Sequence, residues 1–180
     1  MTIAEKIVEH VAEYEGYSAT PYRDTVGKLT VGYGRNLDDN PLTDSELISL
    51  FEVAVCASGD MVDDFFSGLL ENDIYIHQEE LIEEISWVSN VPDNVLLVMT
   101  DMAYNIGVPS LLEFKGMLHA IYNTDYEMAA YELLDSFYAE QVKTRAAANA
   151  KIMAGSDYPY AIETLKSNNI KRYRKIEQYL

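Results

Sequence analysis

The run from Glu15 to Arg35, EGYSATPYRDTVGKLTVGYGR, limits the possible folds most, because it ends a helix and then reverses the chain. The helix before it has a marked start. Thr2 and Glu5 have capping-box spacing, and Ile3, Ile7, Val8 and Val11 recur on one helical face, so a helix is predicted up to Gly16. Glu15 then falls in its last turn, where the negative end of the helix dipole makes a merely solvating acid a poor choice. Beyond Gly16 the period changes. Tyr22-Arg23-Asp24 and Leu29 to Gly34 read as two strands of a hairpin around Thr25-Val26-Gly27-Lys28. Leu29, Val31 and Tyr33 point one way, and Thr30, Gly32 and Gly34 the other. Glycines beside Thr30 weaken a strand, and a ligand that must approach the backbone closely would justify them. The Thr30 face is therefore expected to be the wall of a cleft.

One carboxylate at a helix end and a second on a facing hairpin is the arrangement glycoside cleavage requires. One acid protonates the leaving oxygen while the other handles water or the anomeric carbon. Paired acids are more often solvated surface, and spacing alone does not separate the two readings. The fuller pattern does: Glu15 followed by glycine, YRDT around Asp24 and TVGYG beginning at Thr30. This E-x8-D-x5-T signature resembles that of the phage T4-type lysozymes, the endolysins of glycoside hydrolase family 24. The segment MAYNIGVPSLLEFKGMLHAI (102–121) resembles the end of the family's central helix and the helix after it, and FYAEQVKTRAAAN (137–149) resembles a late R-A segment. The likeness covers about residues 1–66 and 92–160.

The resemblance implies an α+β fold, predominantly α, in which a small β-hairpin lobe and a larger helical lobe are joined by a long helix with a cleft between the lobes. On this reading residues 1–180 form a single domain, with the hairpin lobe at about 16–42 and the helical lobe at about 60–160 plus 1–14. The resemblance also implies hydrolysis of the β-1,4 bond between N-acetylmuramic acid and N-acetylglucosamine, with inversion. Glu15 is the expected general acid, Asp24 the carboxylate that activates or positions water, and Thr30 the hydroxyl that helps hold it. Gly32, Tyr33, Tyr104, Asn105 and Phe114 are expected substrate contacts. Asn105 either hydrogen-bonds an acetamido group or caps its own helix. Arg145 matches a family arginine beside the catalytic glutamate and is expected to orient it. The chain departs from the family in one respect. A histidine usual after the strand glycine is replaced by Arg35, and the aspartate that pairs with it on the linking helix aligns with Ala54, so both halves of that pair are expected to be lost.

Length and charge bound the alternatives. A chain of 180 residues suits one domain and buries roughly 70% of its unfolded surface. It has no apolar run long enough for a membrane span and no basic-then-apolar secretory pattern. Its one cysteine, Cys56, forms no internal disulfide and is expected to be a small buried apolar residue. A formal charge of −17 argues against nucleic acid and anionic membranes as partners. The same charge opposes approach to acidic wall polymers, an effect that salt would screen. A saline setting, a cationic partner and solubility are all compatible with it.

Further along, Asn36–Pro41 reads as a loop. Thr43 and Glu46 form a second capping box, opening an amphipathic helix through Leu47, Leu50, Phe51, Ala54, Val55, Met61, Val62 and Phe65, with a kink near Gly59. Residues 67–91 do not match the family. Gly68 and Asn72-Asp73 break the helical pattern, and Leu81, Ile82, Ile85 and Val88 oppose Glu79, Glu80, Glu83 and Glu84 on an added amphipathic helix. Pro92–Asn105 has little polar face, as a buried central helix should, and Gly107 suits its C-cap. Pro109 begins a helix with Leu111, Leu112, Met117, Leu118 and Ile121 as core. Thr124 and Glu127 form a third capping box, and Ser136 caps the run Phe137–Met153. The C-terminal helix, about 168–180, carries Lys171, Arg172, Arg174 and Lys175, which dock on the protein's own acids or else recruit wall polymer. His10, His77 and His119 read as ordinary helix residues. No metal or cofactor is expected.

The expected partner is thus a peptidoglycan glycan strand, and the expected state a monomer. The protein would be made in the host cytoplasm and reach the wall through a separate membrane pore. A virion-associated lysozyme would share the chemistry, whereas a non-catalytic glycan-binding or structural module would not need all three catalytic positions filled.

Overall fold

The computed structural model describes the backbone of residues 1–56 and 59–180, and the side chains of 1–54 and 61–180. The expected burial of Cys56 and the expected kink near Gly59 lie outside the described residues. The fold is α+β and mostly helical, of the lysozyme type. The chain divides into two compact units, Met1–His77 and Gln78–Leu180.

In the first unit, α1 (Ile3–Tyr14) begins with the capping box expected: Glu5 N–H donates to Thr2 Oγ1 at 3.2 Å and Thr2 N–H to Glu5 Oε2 at 2.8 Å. The predicted hairpin is a three-stranded antiparallel sheet of β1 (Ser18–Arg23), β2 (Leu29–Gly32) and β3 (Arg35–Asn36), in that order. Its register pairs Tyr22 with Thr30 and Thr30 with Asn36. The second strand does not run to Gly34, and Asn36, expected at the start of a loop, is paired with Thr30 on β3. Positive φ at Gly32 (63°) and Gly34 (92°) turns the chain back on itself instead. Val31, Phe66 and Leu69 form the buried centre of this unit, with Tyr33, Leu37, Leu42, Val62 and Phe65 packed around them.

Helices α2 (Asp44–Cys56) and α3 (Gly59–Glu84) follow. The Thr43–Glu46 capping box forms, with Thr43 N–H donating to Glu46 Oε2 at 2.8 Å and Glu46 N–H to Thr43 Oγ1 at 3.3 Å. Leu47, Ile48 and Phe51 are nonetheless exposed, so the apolar stripe read along α2 is not a core face. Helix α3 passes without interruption through Gly68 and Asn72-Asp73, where a break was expected. A single glycine costs a helix only about 1 kcal/mol, and both polar side chains have partners. Asn72 Nδ2 donates to Glu46 Oε1 at 3.3 Å, and Asp73 Oδ1 accepts from Asn40 Nδ2 at 3.0 Å. The added amphipathic helix is the continuation of α3: Leu81 and Ile85 are buried, and Glu79, Glu80, Glu83 and Glu84 lie on its outer face.

Arg35 has partners that its neighbours in sequence do not indicate. It is buried on β3 and its guanidinium grips Glu46 with both terminal nitrogens, Nη1 to Oε1 at 2.8 Å and Nη2 to Oε2 at 3.1 Å. Nη1 also lies 3.4 Å from Asp73 Oδ1. The acidic partners therefore exist, on α2 and α3 rather than at Ala54. Burial pushes the Glu46 carboxyl up. The Thr43 N–H, Arg35, the Thr43 hydroxyl and Asn72 outweigh it and hold the pKa at about 2.

The second unit is built from α4 (Asp93–Ile106), α5 (Val108–Leu111), α6 (Lys115–Tyr122), α7 (Tyr126–Leu134), α8 (Phe137–Val142), α9 (Thr144–Ala154), α10 (Tyr158–Asn168) and α11 (Ile170–Ile176). Val95, Val98, Met99 and Met102 of α4 are fully buried, as its sequence requires. Helix α7 packs on α6, α9 and α10, and α4 packs on α9. Gly107 caps α4 at φ 78°. Two predicted helices are each split. Residues between Leu111 and Lys115 separate α5 from α6, and Lys143 at φ 49° separates α8 from α9. The cap of α7 is Asp125, which accepts from Met128 N–H at 3.0 Å, while Thr124 takes positive φ before it. The last helix docks: Arg172 pairs with Asp135 and Glu140, and Lys175 with Glu140 at 2.8 Å. Helix α10, entered through Pro159, had not been anticipated.

Glu46 and Asp73 should respond to pH with opposite sign. Glu46 contributes stability above its unfolded pKa near 4.5, and that contribution is lost as pH falls towards about 2. Burial raises the Asp73 pKa, so its contribution is present below 3.8 and lost as pH rises. Glu46→Gln should therefore cost about 3 kcal/mol at pH 7, shrinking towards pH 2. Asp73→Asn should cost clearly less at pH 7. Urea unfolding of the three proteins between pH 2.5 and 7 measures both.

Candidate active site

Glu15, Asp24 and Thr30 all belong to the first unit. Glu15 is the C-cap of α1 rather than a last-turn residue. Its backbone has become extended (φ −91°, ψ 139°) while its N–H still closes on Val11 O. Its carboxyl is carried to the β2–β3 turn. A Cβ built on Gly34 would stand 3.7 Å from Glu15 Oε2, an ordinary contact, so the acid lies beside this turn and it is the positive φ of 92° that calls for glycine.

Asp24 is fixed by the β1–β2 turn. Its Oδ1 accepts from Val26 N–H at 2.9 Å and from Lys28 N–H at 2.8 Å. The turn itself is closed by Asp24 N–H to Lys28 O at 2.9 Å and Gly27 N–H to Asp24 O at 3.0 Å, with Gly27 at φ 87°. Both side-chain bonds fall on Oδ1, and Oδ2 takes no hydrogen bond among the described residues. Thr30 is 3% exposed and its hydroxyl donates to Lys28 O at 3.2 Å. The backbone of Lys28 thus holds the Asp24 carboxylate with its N–H and the Thr30 hydroxyl with its C=O. Thr30 Oγ1 has its proton committed and lone pairs to offer, which suits it to accept from a water.

Gly32 has an aromatic ring at its close approach. A Cβ there would fall 2.8 Å from Phe66 Cδ1, so the glycine admits an aromatic ring to the sheet. Tyr33 stacks on Tyr17 with ring centroids 4.9 Å apart, and it borders a groove of about 310 Å³ floored by Val8, Ala12 and Leu70. Tyr17, which sequence reading had passed over, donates its hydroxyl to Asp63. Burial and this carboxylate push the phenol up to about 12.

The remaining candidates belong to the second unit. Tyr104 and Asn105 lie in the last turn of α4 and are half-buried. Because the C-cap is Gly107, Asn105 does not cap its own helix. Phe114 is the N-cap residue of α6 and meets Tyr138 edge-on at 5.9 Å. Arg145 is buried on α9, where it gives Nη2 to Asp101 Oδ1 at 2.8 Å and Nε to Oδ2 at 3.1 Å. Asn149 Nδ2 donates to Asp101 Oδ2 at 2.6 Å. Asp101 and Asn149 were missed, yet a signal existed. An aspartate in the middle of an otherwise apolar helix must have a cationic or amide partner to be buried.

The fold is mostly helical α+β of the lysozyme type, with one acid at a helix end and a second on the β1–β2 turn of a small sheet. The family model for phage lysozyme matches residues 12–149, and the chain belongs to that family. A search of curated proteins returns no match. Membership supports a lysozyme that hydrolyses peptidoglycan. No helix among the described residues is long and apolar enough to cross a membrane.

Gly32→Ala should destabilise by about 2–4 kcal/mol, combining positive-φ strain with an overlap on a buried ring. Adding Phe66→Leu should return part of that loss, the part due to overlap. Chemical denaturation of the single and double variants separates the two contributions.

Proposed function

We propose that the protein is an N-acetylmuramidase that cleaves the β-1,4 bond from N-acetylmuramic acid to N-acetylglucosamine with inversion, in the role of a phage endolysin. The observation that carries this reading is the Lys28 backbone, which is hydrogen-bonded to the side chains of both Asp24 and Thr30 while Asp24 Oδ2 takes no hydrogen bond among the described residues. A water donating one proton to Asp24 Oδ2 and the other to Thr30 Oγ1 would have its lone pair directed away from both. Glu15 donates its proton to the glycosidic oxygen as the bond from the anomeric carbon to that oxygen breaks. The water oxygen bonds to the opposite face of the same carbon and gives its proton to Asp24. Two carboxyls acting across a water are expected to stand about 6.5–9.5 Å apart.

Glu15→Gln should reduce clearing of permeabilised Gram-negative cells by about 100- to 10,000-fold while leaving the melting temperature nearly unchanged. Near-native clearing by this variant would remove Glu15 from the mechanism. The anomer released first, followed by NMR, should be the inverted one, and retention would make Asp24 a nucleophile. Because the chain carries −17, wild-type clearing should rise with added salt in the low range as repulsion from the wall is screened.

A further inference from the structure

The one tryptophan, Trp87, lies in the 3-10 turn Ser86–Asn90, within the stretch 67–91 that departs from the family pattern. Its ring meets Tyr122, at the end of α6, edge to face with centroids 5.6 Å apart and planes at 70°. Trp87 is half-buried and Tyr122 is 64% exposed. Both rings stand on firm supports. Ile85 and Val88, close to Trp87 in sequence, are buried, and so are Met117, Ala120 and Ile121 on the helix that ends at Tyr122.

Their surroundings are unusual for this chain. Ile85 to Pro92, between Glu84 and Asp93, contains no Asp, Glu, Lys or Arg, and neither does Gly116 to Thr124, between Lys115 and Asp125. In a protein of net charge −17, two charge-free segments therefore meet at the aromatic pair. Each also brings an amide. Asn123 Nδ2 is held by His119 O at 2.8 Å, and Asn90 Nδ2 donates to Ser89 Oγ at 3.2 Å. With the amide nitrogens so engaged, each side chain keeps its carbonyl oxygen as an acceptor. A lone exposed tyrosine needs no explanation, but an aromatic pair at the meeting of two segments that themselves lack Asp, Glu, Lys and Arg does.

We propose that Trp87 and Tyr122 form a glycan-binding platform made of other residues than those assigned to catalysis, which takes neutral N-acetylated sugar units of the wall strand. An N-acetylhexosamine has an apolar face of C–H bonds to lay on a ring, an amide N–H and hydroxyls to donate to asparagine carbonyls, and no charge to be repelled. The platform would hold a strand that the acidic surface otherwise keeps away. This rests on the reading of the substrate as wall glycan.

Trp87 is its own reporter. Titrating the full-length protein with the tetramer of β-1,4-linked N-acetylglucosamine should give a saturable change in tryptophan emission, with the same midpoint in Glu15→Gln. Tyr122→Ala should raise that midpoint by about 3- to 10-fold, the worth of one aromatic contact, while Tyr122→Phe should restore it. Thermal melts establish that both variants are folded. An unchanged wild-type emission, or a midpoint in folded Tyr122→Ala equal to wild type, overturns the proposal. Clearing of permeabilised cells tests the catalytic reading separately. Clearing without an emission change would sink the platform and keep the enzyme, and an emission change without clearing would do the opposite.

Discussion

The first unit depends on a buried guanidinium. Arg35, Glu46 and Asp73 are all less than 10% exposed, and they come from β3, α2 and α3. Each is expensive to bury alone, by several kcal/mol for an isolated ion, so each is tolerable only with the others present. The result is a geometric constraint more than a source of net stability. The short strand β3 has only two residues, and the fork of Arg35 fixes where it lies against the two helices. That placement fixes β2 beside it, and β2 carries Thr30 and the turn that presents Asp24. The cluster thus reaches the proposed chemistry through the backbone, without contributing a reacting group.

The second unit solves a similar problem with a different set. Asp101 is fully buried in α4, and Arg145 and Asn149 of α9 satisfy it. Their spacing of four residues puts the guanidinium and the amide on one face of α9, so a single aspartate locks the register of two packed helices. Electrostatics also explains the chain's end. The basic residues of α11 that have ion-pair partners use Asp135 and Glu140, which favours docking on the protein over recruitment of wall polymer for Arg172 and Lys175.

The proposed catalytic residues were legible because their chemistry is local. Helix end, turn and strand follow one another in sequence, and the Asp24 carboxylate is held by amides two and four residues away. The helix caps at Thr2, Thr43, Ser136 and Gly107 were legible for the same reason. Less was readable where two residues compete for one role. Thr124 and Asp125 both qualified as a cap, and the chain used the carboxylate. Gly68 carried a helix-breaking signal that the packing around α3 overrode.

Local sequence was enough for the fold class, for most helix starts and for the three residues proposed for catalysis, because each is specified by neighbours within a few positions; it missed β3, α10 and the breaks between α5 and α6 and between α8 and α9. The pairing of Arg35 with Glu46 and Asp73, the room that Gly32 makes for Phe66 and the meeting of Trp87 with Tyr122 are visible only once the chain is folded. Partners of that kind lie far apart along the chain. Their selection follows from which faces pack once every buried charge and ring must be satisfied together, and no local spacing records that.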